Sequence, residues 1–424
     1  MMSDILSSDV LERWVERCAG DTTLESLGTA SAFAFCLRSG PDAAWFEIRA
    51  GQIVDWERQP GFSRSWDFTL AAPPAVWDRF LQAVPPPTYH DLFAMLARVP
   101  EFKLEGGRES FAQHAHIIRR LLELWRQSVR QLPEPAPVAS TRRGIEPIVG
   151  RYIHLDVLGT TSRVYVEESG AGRDLLFLHT AGSDTRQFHH LMNHPALLEN
   201  WRMRAFDLPL HGKSLPPVGF VPGAYRLTTD VYATTIQRLI EELHLDQPVV
   251  LGCSMGGEIC LELAYRYPDT IRAVIACEAS AHIEGRQVDW AKHPRVNAST
   301  FVPEWVNALM APQSPAPYRD EVWWTYSQSG YGVFHGDIDF YSREWDARDR
   351  VSQIDTTRCP VYMLTGEYDF SCTPEHSRQT AAQIPGAHFQ VMTGLGHFPM
   401  AEHPEAFLQY LLPILNDLRR MPAG

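Results

Sequence analysis

No stretch of this 424-residue chain reaches the roughly 18 consecutive apolar residues that a membrane-crossing helix needs, so a helical span is excluded. Cysteine is scarce. The seven residues Cys18, Cys36, Cys253, Cys260, Cys277, Cys359 and Cys372 are scattered, odd in number and without a C-x-x-C, which argues against a disulfide framework and a zinc site. They read as small buried hydrophobes. Positive charge is in deficit, with 38 Lys and Arg against 51 Asp and Glu and a formal net charge of -13. Such a molecule repels nucleic acid and anionic membrane surfaces, so neither is an expected partner. The acidic opening MMSDILSSDVLERW lacks the basic and apolar regions of a signal peptide, which predicts a cytoplasmic protein. Internal repeats and low-complexity tracts are also lacking, and solenoids are set aside.

What is present describes a globular protein: 45% hydrophobic and 21% charged residues. The length exceeds one ordinary domain of about 150 residues. A proline-rich connector beginning at Gln131-Leu-Pro-Glu-Pro-Ala-Pro divides it into a front domain, 1–130, a linker, 131–147, and a larger domain, 148–424. In the front domain Phe33, Phe35 and Leu37 alternate with smaller neighbours, as do Trp66, Phe68 and Leu70, the period-two pattern of half-buried strands. Ile117, Ile118, Leu121, Leu122 and Trp125 then fall on one face of a closing helix. This is a small α+β unit.

After the linker, short apolar strands alternate with helices: Leu175–His179, Arg204–Phe206, Pro248–Leu251, Ile271–Ala276, Val361–Leu364 and His388–Val391, with helices such as Thr228–Leu243 and Gly256–Arg266. That alternation predicts an α/β fold with a mostly parallel sheet covered on both faces. Strands stop between about 281 and 353, where Trp290, Trp305, Trp323, Trp324 and Trp345 crowd together. A cap over an apolar pocket would look like this, and Trp290, Trp305, Trp323 and Trp324 are its candidate substrate contacts. The insertion's own small core is the alternative reading.

The strongest local signal is Gly252-Cys-Ser-Met-Gly-Gly257, placed directly after one strand and before a helix. A serine on such a turn has strained backbone angles, which flanking glycines relieve, and its hydroxyl is presented at a helix N-terminus that favours developing negative charge. Ser254 is therefore the candidate nucleophile. A helix-capping serine in a glycine-rich turn is the bland alternative. A serine needs a base, and His397 follows Thr393-Gly-Leu-Gly396 in a loop past the end of a strand. The base needs an acceptor, and Asp369 in Thr365-Gly-Glu-Tyr-Asp369 lies at the same sheet edge, with Glu278 as the second contender. Oxyanion donors are expected at the amides of Met255 and Ala181. His179 reads as a structural residue of the latter's loop. Asp207-Leu-Pro-Leu-His211-Gly-Lys-Ser214 has one glycine and no G-x-x-x-x before it, so it reads as a turn and not a phosphate loop.

Taken together and in this order, His179-Thr-Ala-Gly, Asp207-Leu-Pro-Leu-His-Gly-Lys-Ser, Gly252-Cys-Ser-Met-Gly-Gly, Gly366-Glu-Tyr-Asp369 and Gly396-His397-Phe-Pro make residues from about Arg151 to Pro422 resemble the α/β-hydrolase superfamily. The resemblance implies an α/β-hydrolase fold with a cap inserted after the sixth strand. It further implies a Ser254–His397–Asp369 triad, an oxyanion hole at Met255 and Ala181, and no metal or other cofactor. Two departures stand out: Thr180 replaces the glycine usual after His179, and Leu210 replaces a glycine of the Asp-x-x-Gly-His-Gly turn. A serine nucleophile makes the superfamily's haloalkane dehalogenases and epoxide hydrolases poor matches. The front part, about Leu11 to Leu124, is similar to sterol-carrier-protein-like lipid-binding domains in its strand series, its Phe102-Lys-Leu-Glu-Gly-Gly phrase and its closing helix. That likeness implies an apolar ligand or, if the cavity is lost, self-association into a homo-oligomer. The expected activity is a serine hydrolase cleaving an ester, lactone or thioester of a hydrophobic small molecule. A carbon–carbon bond hydrolase using the same three residues and a non-catalytic ligand-binding protein are the alternatives.

Overall fold

The computed structural model describes residues 5–130 and 144–421; most of the expected linker, 131–143, lies outside them. The described residues form two compact units, 5–130 with His293–Ala308, and 144–292 with 309–421.

The first unit holds a five-stranded sheet of β1 (Ala32–Ser39), β2 (Asp42–Arg49), β3 (Gln52–Arg58), β4 (Phe68–Ala72) and β5 (Lys103–Gly106) in the order β3-β2-β1-β4-β5. Only β1 and β4 pair in parallel. The expected alternation around Trp66 differs from what forms. Trp66 lies before β4 and is 40% exposed, whereas all five residues of β4 are buried. The closing helix runs Arg108–Arg130 and buries Ile118, Leu121, Leu122 and Trp125. Trp14 donates from its indole to the Leu121 carbonyl at 2.8 Å and meets Phe46 and Trp125 edge-on or tilted.

The insertion departs from its expected place as one piece of the larger domain. Helix Ala298–Asn307, with Trp305 buried in it, groups with the first unit. The reason is a nearly buried ion triplet: Arg119 pairs with Asp91 at 2.6 Å and with Glu304. Phe301 adds an edge contact to Phe93, and the Gln113 amide donates to the Arg295 carbonyl. Removing one partner of such a set costs about 3–5 kcal/mol, enough to assign the helix.

The second unit is built on an eight-stranded sheet: β6 (Val149–Val157), β7 (Thr160–Ser169), β8 (Arg173–Leu178), β9 (Trp201–Phe206), β10 (Val249–Cys253), β11 (Ala273–Cys277), β12 (Val361–Gly366) and β13 (His388–Met392). The order is β13-β12-β11-β10-β8-β9-β7-β6. Strands β8 to β13 run parallel, and the hairpin β6–β7 adds an antiparallel edge. Central β10 is wholly buried and pairs Val250 with Leu176 and Val274, the apolar run expected of a strand covered on both faces. Each such side chain contributes about 1.5–3 kcal/mol. Parallel pairing has a functional consequence: the carboxyl ends of β8, β10, β11 and β12 share one edge of the sheet. Among the described residues no helix is long and apolar enough to cross a membrane.

Candidate active site

The loops after β8, β10, β11, β12 and β13 leave that edge and carry Ala181, Ser254, Glu278, Asp369 and His397, each singled out in the sequence. After β10 the chain turns at Ser254, whose φ of 58° and ψ of -121° lie outside the regions ordinary residues prefer, and enters helix Met255–Arg266. The turn is held by Ser254 N–H donating to the Cys277 carbonyl at 2.9 Å. Glycine is required on both sides: a Cβ at Gly252 would stand 1.9 Å from the Gly256 oxygen, and one at Gly256 would stand 2.5 Å from the Leu178 oxygen. The second approach also brings the end of β8 against the first turn of the Ser254 helix. Met255 and Ala181, the expected oxyanion donors, are both buried in these adjoining segments.

His397 and Asp369 are brought together. Nδ1 of His397 lies 2.7 Å from Asp369 Oδ2, with both side chains almost fully buried. Asp369 Oδ1 accepts from the amides of Ser371 and Cys372 at 2.7 and 3.2 Å. The carboxylate is thus locked from both ends, and its acceptor oxygen calls for a proton on His397 Nδ1, leaving Nε2 with its lone pair. The Cys253 thiol reaches the His397 carbonyl at 3.2 Å, which ties the residue before Ser254 to the histidine loop. Two features of that loop were not expected from the sequence. Buried Glu402 accepts from Gly396 and Phe398 amides through Oε1, and from Ala311 N–H and Ser314 Oγ through Oε2. His397 N–H also donates to the Leu309 carbonyl at 3.0 Å.

Glu278, the second contender for the acid, is buried completely at the end of β11. Its carboxyl group accepts from Gly366 N–H at 3.0 and 3.1 Å and hydrogen-bonds Asp369. Ligand atoms of Glu278, Asp369 and His397 lie within 4.8 Å of one another. Burial, reinforced by the charge of Asp369, pushes the Glu278 carboxyl well above the usual carboxylate range. Asp369 already accepts from two amides and faces the His397 ring nitrogen, whereas Glu278 accepts from one amide, so the geometry favours the proton of this carboxyl pair on the glutamate side. Among the described residues the His397 ring pairs with Asp369, not with Glu278.

Of the four cap tryptophans, Trp305 lies in the first unit, Trp290 and Trp323 are half-buried, and Trp324 is 59% exposed. Trp324 borders a cavity of about 270 Å³ shared with Ser183, Arg186, Gln187, Glu321, Tyr326 and Phe398. Trp345 is an anchor: its indole donates to the Ser280 carbonyl at 2.9 Å. His179 acts within its own loop, with Nδ1 at 2.9 Å from the Thr180 carbonyl and Nε2 accepting from Leu208 N–H at 3.1 Å. Asp207 closes its turn by accepting from Thr185 and Lys213 amides. The cap residues Tyr326 and Asp337 touch the loop after β8, and no local pattern announced either.

Residues 175–410 match the model of the Alpha/beta hydrolase family. A 2-(acetamidomethylene)succinate hydrolase of Mesorhizobium japonicum is 27% identical over 59% of this chain and 91% of its own length. A pimeloyl-[acyl-carrier protein] methyl ester esterase of Nitrosospira multiformis is 23% identical over 58% of this chain and 95% of its own. Among solved structures, a thermophilic esterase from Thermogutta terrifontis superposes with a TM-score of 0.56 at 22% identity, over 63% of this chain and 99% of that one. An enol-lactonase from Burkholderia xenovorans LB400 does so with 0.54 at 19%, over 62% and 100%.

Proposed function

The chain belongs to the alpha/beta hydrolase family, and on that premise we propose that it is a serine hydrolase of a carboxylic ester, lactone or thioester of a hydrophobic small molecule, acting through an acyl-enzyme on Ser254. What supports this reading is a serine at a positive-φ strand-to-helix turn together with a histidine, in the loop after β13, whose Nδ1 lies 2.7 Å from a buried aspartate. In the mechanism proposed, Ser254 Oγ attacks the carbonyl carbon as its proton passes to His397 Nε2. The carbonyl electron pair becomes an oxyanion facing the amides of Met255 and Ala181. Collapse expels the alcohol, or the thiol of a thioester, which takes the proton from His397. A water activated by the same nitrogen then attacks the acyl carbon, releasing the acid and restoring Ser254. The name of the methyl ester esterase relative supports an ester as substrate.

For the front unit the sterol-carrier-like reading rests on the strand-then-helix order. Trp14, Phe46, Trp77 and Trp125 pack against one another there, which supports assembly over ligand carriage. The seven cysteines, all unpaired, support a reducing compartment such as the cytoplasm. The test is reaction with a nitrophenyl phosphonate followed by intact mass. The expected result is one adduct, absent in Ser254→Ala; a folded wild-type protein that takes no adduct overturns the reading.

A further inference from the structure

The cap buries a carboxylate against the loop that follows β8. Asp337, in helix Val333–Asp339, has no exposed side-chain surface. Gly182 N–H donates to its Oδ2 at 2.7 Å, His211 Nε2 lies 2.7 Å from the same oxygen, and the Tyr225 hydroxyl donates to Oδ1 at 2.7 Å. Protonation follows by elimination. His211 Nδ1 faces the Pro209 carbonyl at 3.1 Å, which can only accept, and Nε2 faces a carboxylate, so both ring nitrogens carry hydrogen. Burial opposes that charge, yet Asp337 beside the ring outweighs it and holds the pKa above the ordinary histidine value. His179, its ring centroid 4.8 Å away, is the neutral neighbour, pushed down to about 4 by burial and by the His211 charge. The loop therefore rests on one closed ion pair, His211 with Asp337.

Gly182 directly follows Ala181. Its φ is +68°, and a Cβ there would meet Phe334 of the same cap helix at 2.6 Å, so that helix lies against the loop. Holding Gly182 N–H fixes the peptide plane on one side of Ala181. On the other side, the peptide plane that carries the Ala181 N–H has its Thr180 carbonyl 2.9 Å from His179 Nδ1 and accepting from Ser183 N–H at 3.1 Å, while the Thr180 hydroxyl lies 2.5 Å from the hydroxyl of Tyr326, a second cap residue. Both planes flanking Ala181 are thus gripped, the later one by the cap through Asp337 and the earlier one by its own loop, with Tyr326 of the cap against the Thr180 side chain.

We propose that Asp337, with His211 as its counter-ion, is a positioning residue that orients the Ala181 amide through Gly182, so that the oxyanion hole is complete only when the cap helix Val333–Asp339 is seated. This rests on the proposed role of Ala181. Deleting an oxyanion donor costs about 10²–10³ in kcat, and misaligning one costs less. Asp337→Ala is therefore expected to lower kcat on p-nitrophenyl butyrate about 10- to 100-fold, per active site titrated with the phosphonate, with KM within about threefold. Asp337→Asn, which keeps an acceptor for Gly182, is expected to recover at least part of that loss. A purely structural role would lower the melting temperature and the titratable fraction but leave the per-site kcat unchanged. A per-site kcat within twofold of wild type for Asp337→Ala, or a loss confined to KM, overturns the proposal while leaving the hydrolase reading intact. If Asp337→Ala does not fold, Tyr225→Phe decides: it removes one hydrogen bond from the carboxylate, and an unchanged kcat there overturns the proposal equally. A wild-type protein that takes no phosphonate overturns both readings.

Discussion

Glu278→Gln and Asp369→Asn are near-isosteric changes within one buried carboxyl pair, and the geometry predicts opposite outcomes. Two ionised carboxylates about 4 Å apart repel by roughly 4 kcal/mol at an effective dielectric near 20, so the pair carries one proton. Glu278 holds it, since burial and the charge of Asp369 push its carboxyl up. A glutamine there reproduces what the neutral acid does: N–H donates to Asp369 and Oε1 accepts from Gly366 N–H. The expected kcat is within about threefold of wild type, the loss of one ordinary hydrogen-bond alignment. An asparagine at 369 behaves otherwise. Ser371 and Cys372 amides demand an acceptor at the Oδ1 position, so the new NH2 must face His397 Nδ1. The imidazole is then forced to carry its proton on Nε2, where it cannot take one from Ser254. The expected loss in kcat is about 10⁴, or roughly 5.5 kcal/mol of barrier. Steady-state hydrolysis of p-nitrophenyl esters, normalised to titrated sites, reads both. Equal losses in the two variants, or a larger one in Glu278→Gln, would refute the assignment of Asp369.

Ser254→Ala is expected to abolish turnover by several orders of magnitude while the affinity for a substrate-like ligand, read by calorimetry, stays within a few fold, because in the proposed mechanism these residues act mainly in the transition state. Glu258, one turn into the same helix, is fully buried and neither carboxyl oxygen finds a hydrogen-bond partner among the described residues; burial pushes its pKa well up. The unfolded chain releases that proton above about pH 4.3 while the folded chain keeps it, so stability falls with rising pH by up to about 1.4 kcal/mol per unit. Glu258→Met should raise the melting temperature, more at pH 8 than at pH 5, and a pH-independent difference would contradict this. Arg119→Met strands Asp91 and Glu304 and should cost about 3–5 kcal/mol in urea unfolding; a loss under about 1 kcal/mol would show that the triplet is not what holds helix Ala298–Asn307.

The turn at Ser254 was legible because backbone crowding at Gly252 and Gly256 leaves few residue choices, so the turn's geometry shows in six positions of sequence. His397 and Asp369 were legible for a topological reason: parallel buried strands are recognisable apolar runs, and whatever follows them emerges on one edge. The hairpin β6–β7 escaped notice because β6 is mostly exposed, with only Leu155 and Val157 buried, and shows no apolar run. Long-range partnerships left no local trace. Asp337 meets Gly182 across 155 residues, and Glu304 meets Arg119 across 185, so nothing near either residue marks its role. Glu402 organises the histidine loop from the short helix Pro399–Glu402, and no local pattern marks that role.

Helix Ala298–Asn307 has a consequence for biosynthesis. The first unit begins to leave the ribosome early, yet the partner that completes the charge balance of Arg119 is translated after most of the strands of the other unit. At 5–20 residues per second that delay amounts to roughly ten to forty seconds during which the nascent front portion waits with an open seam. A chaperone acting during that interval would find its target there, and a stop codon anywhere before Glu304 would release a front portion that can never close.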